Sequence, residues 1–226
     1  MSEKKIKILE NGPYEVTGGV PIKEKIITAE GHVNEWKDGR TFPVEDEVHL
    51  CRCGRSKNAP FCDGSHIEAG FDGTETASKE KYAERAAWQE GEGISLLDDD
   101  RCAFARFCHR EHGDVWTLTD KSGNPQLREE AIEGACACPA GRLTSVDKDG
   151  TLIEPKLEQE IVIIQDPQKG VSAGLFVKGG IPLQGADGKM YETRNRYTLC
   201  RCGESQNKPF CDASHVPAEY DDHMKH

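Results

Sequence analysis

A chain of 226 residues with 36% hydrophobic and 7% aromatic residues, 23 glycines and 11 prolines is poorly supplied for one large apolar core, so two or three small units with some added means of stabilisation are expected. Forty acidic against 29 basic side chains leave a net charge of -11, which repels nucleic-acid phosphate and anionic lipid alike. No charged start followed by an apolar run stands at the N-terminus, and no stretch reaches the roughly 20 apolar residues of a membrane span; a cytoplasmic protein is expected, whose ten cysteines serve metal ligation rather than disulfides.

In chain order, YEVTGGVPI (14–22) places Tyr14, Val16, Val20 and Ile22 on one face of a period-two pattern and reads as a strand. Val48 and Leu50 form a short strand that leads into CRCGRSKNAPFCDGSH (51–66), so this loop is expected to hang from a sheet edge. The spacing predicts a helix over residues 78–91, with Ser78 as N-cap and Gly91 as its stop. A second helix is expected over 125–135, with Pro125 in its first turn and Leu127, Ala131 and Ile132 on one face. EIVIIQD (160–166) reads as a buried strand, and LFVKGGIPL (175–183) repeats the first pattern with Leu175, Val177, Ile181 and Leu183. Tyr197 and Leu199 then lead into CRCGESQNKPFCDASH (200–215), while His223 and His226 read as solvated tail residues. The glycine pairs Gly18-Gly19 and Gly179-Gly180 are expected to be bulges or bends.

The two 16-residue stretches agree at twelve positions and differ only at Arg55/Glu204, Lys57/Gln206, Ala59/Lys208 and Gly64/Ala213. Each offers Cys-x-Cys, eight residues, then Cys-x3-His, a spacing compact enough for four side chains to meet one centre. Pro60 fixes a turn before Cys62, and Asp63 stands where its carboxylate can accept from the N–H of Ser65 or His66 and start a helical turn that faces His66 to the sulfurs. Three thiolates and one imidazole are also an ordinary tetrahedral zinc set, and spacing alone leaves that reading open.

Cys-x-Cys-x2-Ser-x3-Pro-x-Cys-Asp-Gly-Ser-His resembles the signature of the CDGSH iron–sulfur family. That resemblance implies a 2Fe-2S cluster held by Cys51, Cys53, Cys62 and His66, and a second by Cys200, Cys202, Cys211 and His215. Ala213 departs from the motif glycine and is expected to lie inside a helical turn, where no positive φ is required. The remaining cysteines, Cys102, Cys108, Cys136 and Cys138, resemble a mono-cluster ferredoxin pattern with Ala105 at the place of the middle ligand. The resemblance implies a divergent four-iron segment, giving 4Fe-4S if Cys136 replaces the missing ligand and 3Fe-4S if it does not; free thiols in a small core are the competing account. His109 and His112, in a polar HREHGD stretch, are read as a solvated loop.

The expected architecture is therefore α+β: a β-rich unit at 1–78, a ferredoxin-like insert at 79–150 and a second β-rich unit at 151–226. Family members with one motif pair as homodimers, so the two terminal units are expected to pair internally about a pseudo-twofold axis, leaving the chain a monomer. The chain carries no Gly-x-Ser-x-Gly and no phosphate loop, and no enzyme activity is expected. A one-electron carrier that meets a reductase or acceptor with a basic face is the leading expectation. Storage, transfer or sensing through a labile cluster is the second, involving an apo iron–sulfur protein as partner, and a purely structural staple is the third.

One imidazole in place of one thiolate removes a negative charge and eases reduction. The potential is thus expected between about -400 mV for plant-type ferredoxins and about -150 mV and upward for centres with two histidines. A histidine binds metal only when neutral, and an unperturbed imidazole titrates near about 6.5. The visible spectrum should therefore bleach in mildly acidic buffer, and His66→Cys should slow that loss while lowering the potential; equal acid lability in the variant would count against the histidine as the weak ligand.

Overall fold

A computed structural model describes residues 3–224, so His226 lies outside the described residues. The N-terminal segment forms β1 (Lys5–Ile8), β2 (Tyr14–Thr17), β3 (Ile22–Glu30), β4 (Val33–Phe42), β5 (Glu47–Leu50) and the short α1 (Ser65–Glu68). The insert contributes α2 (Tyr82–Arg85), β6 (Ala87–Glu90), β7 (Ile94–Asp98), β8 (His109–Arg110), β9 (Gly113–Asp114), α3 (Val115–Asp120), α4 (Pro125–Ala137), β10 (Leu143–Asp147) and β11 (Leu152–Ile153). The C-terminal segment adds β12 (Glu160–Asp166), β13 (Val171–Lys178), β14 (Leu183–Gln184) and β15 (Arg196–Leu199). The fold is α+β, as the sequence leads one to expect, and among the described residues no helix is long and apolar enough to cross a membrane.

The two terminal segments exchange strands. One sheet runs β14-β1-β2-β5 and another β15-β13-β12-β3-β4, so each takes the strand that follows a glycine pair from the other segment. The exchanged pairings are both parallel, Ile6 beside Leu183 and Ile161 beside Ile22. Within each segment the antiparallel register is also matched, Ile6 to Val16 and Ile161 to Val177. This reciprocity is the pseudo-twofold. Gly18, Gly19, Gly179 and Gly180 all have positive φ, which glycine adopts without a Cβ penalty, and they turn each chain out of its own sheet and into its partner's. The eight apolar residues of the two repeated strand patterns, Tyr14 to Ile22 and Leu175 to Leu183, all enter one shared core.

β5 and β15 are edge strands, and each hands its chain directly to a Cys-Arg-Cys loop. Across the pseudo-axis the two loops touch. A Cβ on Gly54 would collide with the Cys202 carbonyl oxygen, and one on Gly203 would lie 2.6 Å from that of Cys53. The next residues, Arg55 and Glu204, approach to 3.7 Å. Equivalent side chains near such an axis face each other, so two like charges would repel there; opposite charges explain one of the four differences between the repeats.

The insert folds as the sheet β11-β10-β7-β6 with α3 and α4 against it. α4 begins at Asn124, whose side chain accepts from the N–H of Gln126 and Leu127, followed by Pro125 at the first position. Its Leu127, Ala131 and Ile132 pack with Ile94 and Leu118, the face that the sequence predicts. The helix expected over 78–91 is a correction: only Tyr82–Arg85 is helical, with Lys81 rather than Ser78 before it. Ala86 leaves the helix at ψ 132, and residues 87–90 pair instead with β7, Trp88 opposite Leu97. The Tyr82 hydroxyl, fixed to the carbonyls of Leu97 and Arg142, pins the turn against this sheet, and Gly91 closes the β6–β7 hairpin through its N–H to Ile94.

A second correction concerns Ala213. It has φ 72, matching Gly64 at φ 89, so the motif glycine does occupy a left-handed position. Space is not the reason, since nothing lies within 4 Å of a Cβ built on Gly64; the cost of Ala213 is backbone strain. Gly64→Ala should therefore destabilise the protein by about 1 kcal/mol and Ala213→Gly should stabilise it by a similar amount. Denaturant unfolding of the metal-loaded protein checks this, and a neutral result for both would contradict the strain.

Candidate metal centres

The two loops agree bond for bond. The Cys51 and Cys200 N–H groups donate to the carbonyls of Pro60 and Pro209, both at 2.8 Å, while Cys62 and Cys211 donate to His49 and Thr198 on the edge strands. Both prolines follow cis peptide bonds. Asp63 accepts from Ser65 N at 3.0 Å and Lys57 N at 2.8 Å, and Asp212 accepts from Ser214 and Gln206 at the same distances. The aspartate thus ties both ends of its loop, and the Ser65 hydroxyl together with those N–H groups holds the Asp63 carboxyl far below the usual carboxylate range.

The eight donors fall into pairs. Cys51 Sγ lies 3.8 Å from Cys53 Sγ, and Cys62 Sγ lies 3.5 Å from His66 Nδ1. In the second loop Cys200 and Cys202 are 3.5 Å apart, and Cys211 is 3.5 Å from His215 Nδ1. Among the described residues, the one group of three metal-type donor atoms lying mutually within 4.8 Å is Glu15, Glu47 and His49 on the outer surface; neither loop closes its donors round a single point.

Electrostatically each Cys-x-Cys pair is primed for a cation. The contact between the two thiols pulls the Cys51 pKa down to about 6 and pushes Cys53 well up. Cys200 and Cys202 divide likewise, Cys200 falling to about 7. Two thiols holding one proton between them can both ionise only when positive charge arrives. Backbone N–H groups of Cys53, Gly54 and Ser56 point at Cys51, and those of Cys202, Gly203 and Ser205 at Cys200, donors that stabilise thiolate sulfur. The chemistry of this donor set therefore fits a bound iron–sulfur group.

The two sites differ in exposure. Cys62 and His66 are half-buried, whereas Cys211 and His215 are buried. His215 Nε2 is buried without a protein partner, and burial pushes the imidazole down to about 4. Cys211 packs against Ala103 and Ala140 of the insert, with Cys138 beside them.

In the insert, Cys102, Cys108 and Cys138 come together, and Cys136 does not. Burial raises Cys108 to about 11, followed by the negative charges of Cys138 and Cys102. The N–H groups of Leu143, Ala140 and Arg142 point at the Cys138 sulfur, and Phe104 N lies 3.4 Å from Cys102 Sγ. Cys136 faces the Ile153 carbonyl and a groove of Trp36, Phe107 and Phe176, with Arg196 and Glu154 as its charged neighbours. A place in the helix explains this: Cys136 lies inside α4, one turn face away from Cys138, which has left the helix at ψ 111. Ala105 is buried in the apolar layer with Ile27 and Phe107. His109 is exposed, and His112 pairs with Glu130 at 2.6 Å; His223 is also exposed, 3.4 Å from Asp221.

Several residues around the site were not anticipated. Arg52 and Arg201, between the first two cysteines of each loop, are 2% and 1% exposed. Arg52 donates to the carbonyls of Leu9, Gly12 and Gly73, and Arg201 to those of Ala173 and Ile164 and to the Asp222 carboxylate. Their identity in both repeats was the available signal. Tyr14 OH donates to the Cys200 carbonyl at 2.7 Å, bracing the second loop from the first segment; its counterpart Leu175 has no hydroxyl to return the contact. Arg196, on β15, donates to the Ala135, Leu143 and Cys138 carbonyls and so fixes the end of α4 to the C-terminal sheet.

Paired sulfur and imidazole donors on two repeated loops, with a third group of thiols between them in sequence, define an iron–sulfur protein. Family comparison agrees: residues 11–67 and 173–216 match the iron-binding zinc finger CDGSH type, and residues 90–148 match the divergent 4Fe-4S mono-cluster. The chain thus carries two segments of the CDGSH type with a segment of the divergent 4Fe-4S mono-cluster type inserted between them. No curated protein and no solved structure matches it.

Burial pushes the His215 imidazole down to about 4 and leaves the residue 2% exposed, so protons reach that ligand less readily than the half-buried His66. Acid titration should bleach the spectrum in two steps, and His66→Cys should remove the earlier one. A single step lost by both variants, His66→Cys and His215→Cys, would contradict this ordering.

Proposed function

We propose that the chain is a non-enzymatic, monomeric, cytoplasmic one-electron carrier with two 2Fe-2S centres, each held by three cysteines and one histidine, and a third centre held by Cys102, Cys108 and Cys138. The observation that carries this reading is contiguity. Cys211 of the second loop lies in one packed cluster with Ala103, Ala140 and Cys138 of the insert, and the Gly54 and Cys202 backbones bring the two loops into contact. Three groups of ligands thus follow one another through direct contacts of their loops and the insert, which suits transfer of single electrons and needs no substrate pocket.

Donor spacing supports two irons in each loop rather than one zinc. A tetrahedral zinc with bonds of about 2.3 Å to sulfur would draw all four donors to mutual distances near about 3.8 Å. Here that spacing holds within each pair and not among any three donors of a loop. In the insert, three convergent thiols favour a 3Fe-4S centre, or a 4Fe-4S centre whose fourth ligand is not Cys136. The buried guanidiniums of Arg52 and Arg201 supply positive charge beside the anionic groups.

A second reading, delivery of a cluster to an apo iron–sulfur protein, is favoured by one observation: the Cys62–His66 pair is only half-buried. The two separate in one set of measurements. Iron and labile-sulfide analysis with electron paramagnetic resonance of the reduced protein should show more than one centre, reduced reversibly with iron retained; transfer of iron and sulfide to an apo-ferredoxin would favour delivery. Cys136→Ser should leave the iron content unchanged while Cys138→Ser lowers it. Zinc without labile sulfide would contradict both readings.

A further inference from the structure

The two repeats present their ligands to very different surroundings. In the second loop the imidazole-bearing turn is closed over: Cys211 is 4% and His215 2% exposed, Ala103 and Ala140 of the insert pack on Cys211, and the charge of the insert's Arg106 reaches His215. In the first loop the same turn is α1, none of whose residues is buried. Ile67, directly after His66, is 76% exposed, while its counterpart Val216 is half-buried. A lone exposed isoleucine needs no explanation. One placed beside the half-buried Cys62–His66 pair, on a turn continued by exposed Ala69 and Gly70 that raise no bulk around it, marks a low approach to the centre.

Charge identifies what approaches. Asp63, Glu68 and Asp72 are exposed on the stretch that holds Ile67; residues 58–78 contain no lysine or arginine, and the cations whose charge reaches Asp72 are Lys208 and the buried Arg52. The hydrogen bond from Phe71 N to the His66 carbonyl folds the segment back, which keeps Asp72 beside the turn. In the second repeat Asp63 and Asp72 recur as Asp212 and Asp221, while Pro217 stands in the place of Glu68, so Glu68 is the acidic residue that sets the first loop apart. The patch thus has an apolar centre and a negative edge, and the molecule behind it has a net charge of -11.

We propose that the face of α1, centred on Ile67 and edged by Glu68 and Asp72, is the docking surface for a redox protein with a basic, lysine-rich rim around an apolar centre, and that the first loop is the port of the chain. This rests on the carrier reading. The second loop and the insert then communicate with partners through the first, because the insert occupies the corresponding approach to His215. Steering by opposite charge accelerates encounter without requiring a large interface, as suits a carrier that must release its partner.

Ferricytochrome c, a basic haem protein, serves as the probe. At low ionic strength the reduced protein should reduce it rapidly, and Ile67→Lys/Glu68→Lys should slow the second-order rate by about tenfold or more and flatten its salt dependence, with iron content and spectrum unchanged. Gln126→Lys/Glu129→Lys, an equal charge change at exposed positions of α4, should alter the rate less than about twofold. Carbodiimide cross-linking of the unaltered protein to ferricytochrome c gives a test independent of any variant: links should map to Glu68 and Asp72. Links confined to other carboxylates, no links, or equal slowing by the two charge changes would overturn the docking surface while rapid electron exchange left the carrier reading intact. Links at Glu68 and Asp72 without electron exchange would uphold the surface and count against the carrier.

Discussion

The structure depends on one reciprocal constraint, the parallel pairing of β1 with β14 and of β3 with β12. Each terminal segment lends the other the strand after its glycine pair, so neither sheet is complete alone. The shared core holds Ile6, Val16 and Ile22 of one segment against Ile161, Val177 and Leu183 of the other. Because β5 and β15 sit at the edges of these sheets, fixing the sheets fixes the launch points of both metal loops, which then meet at Gly54 and Gly203. Glycine is required there for two reasons at once: both residues have positive φ, and a side chain would strike the facing carbonyl.

Burial of so many sulfur and guanidinium groups makes sense only as one electrostatic unit. Cys51, Cys53, Cys200, Cys202 and Cys211 are each less than 8% exposed, and burial alone opposes their ionisation. Backbone N–H donors and the contact with the neighbouring thiol favour the anionic side of that balance at Cys51 and Cys200, and the Arg201 guanidinium feels the negative charge of Cys51. Arg201 is joined by Asp222, whereas Arg52 donates to the carbonyls of Leu9, Gly12 and Gly73 and lies over the Tyr14 and Phe71 rings, with Gly73 standing where the second repeat has Asp222. The repeats are therefore alike in donor geometry and unlike in charge and exposure.

Much of this was legible in the chain. The period-two faces of 14–22 and 175–183 define the shared core because alternation reports which side of a strand is buried, and the loops recur because short covalent spacing leaves them little freedom. The exchange of strands was not legible, since a glycine pair signals a bend but not which sheet receives the chain. Residues 78–91 have helical spacing, yet the backbone of 87–90 finds partners on β7, and tertiary pairing overrides local propensity. Ala213 misled because its identity favours a helical turn, while the left-handed φ is imposed by the loop closed through Asp212. Cys136 and Cys138 are two residues apart in sequence; only the exit of Cys138 from α4 separates their directions, and no composition rule reports that.

The central claim is that each terminal loop holds its four donors as two pairs on two irons, back to back across the pseudo-axis. Diffraction from crystals of the purified protein at the iron absorption edge tests it most directly. The account predicts, for each loop, one anomalous peak by the two sulfurs of Cys-x-Cys and a second by the third sulfur and the Nδ1 of His66 or His215. A single peak equidistant from all four donors would contradict it.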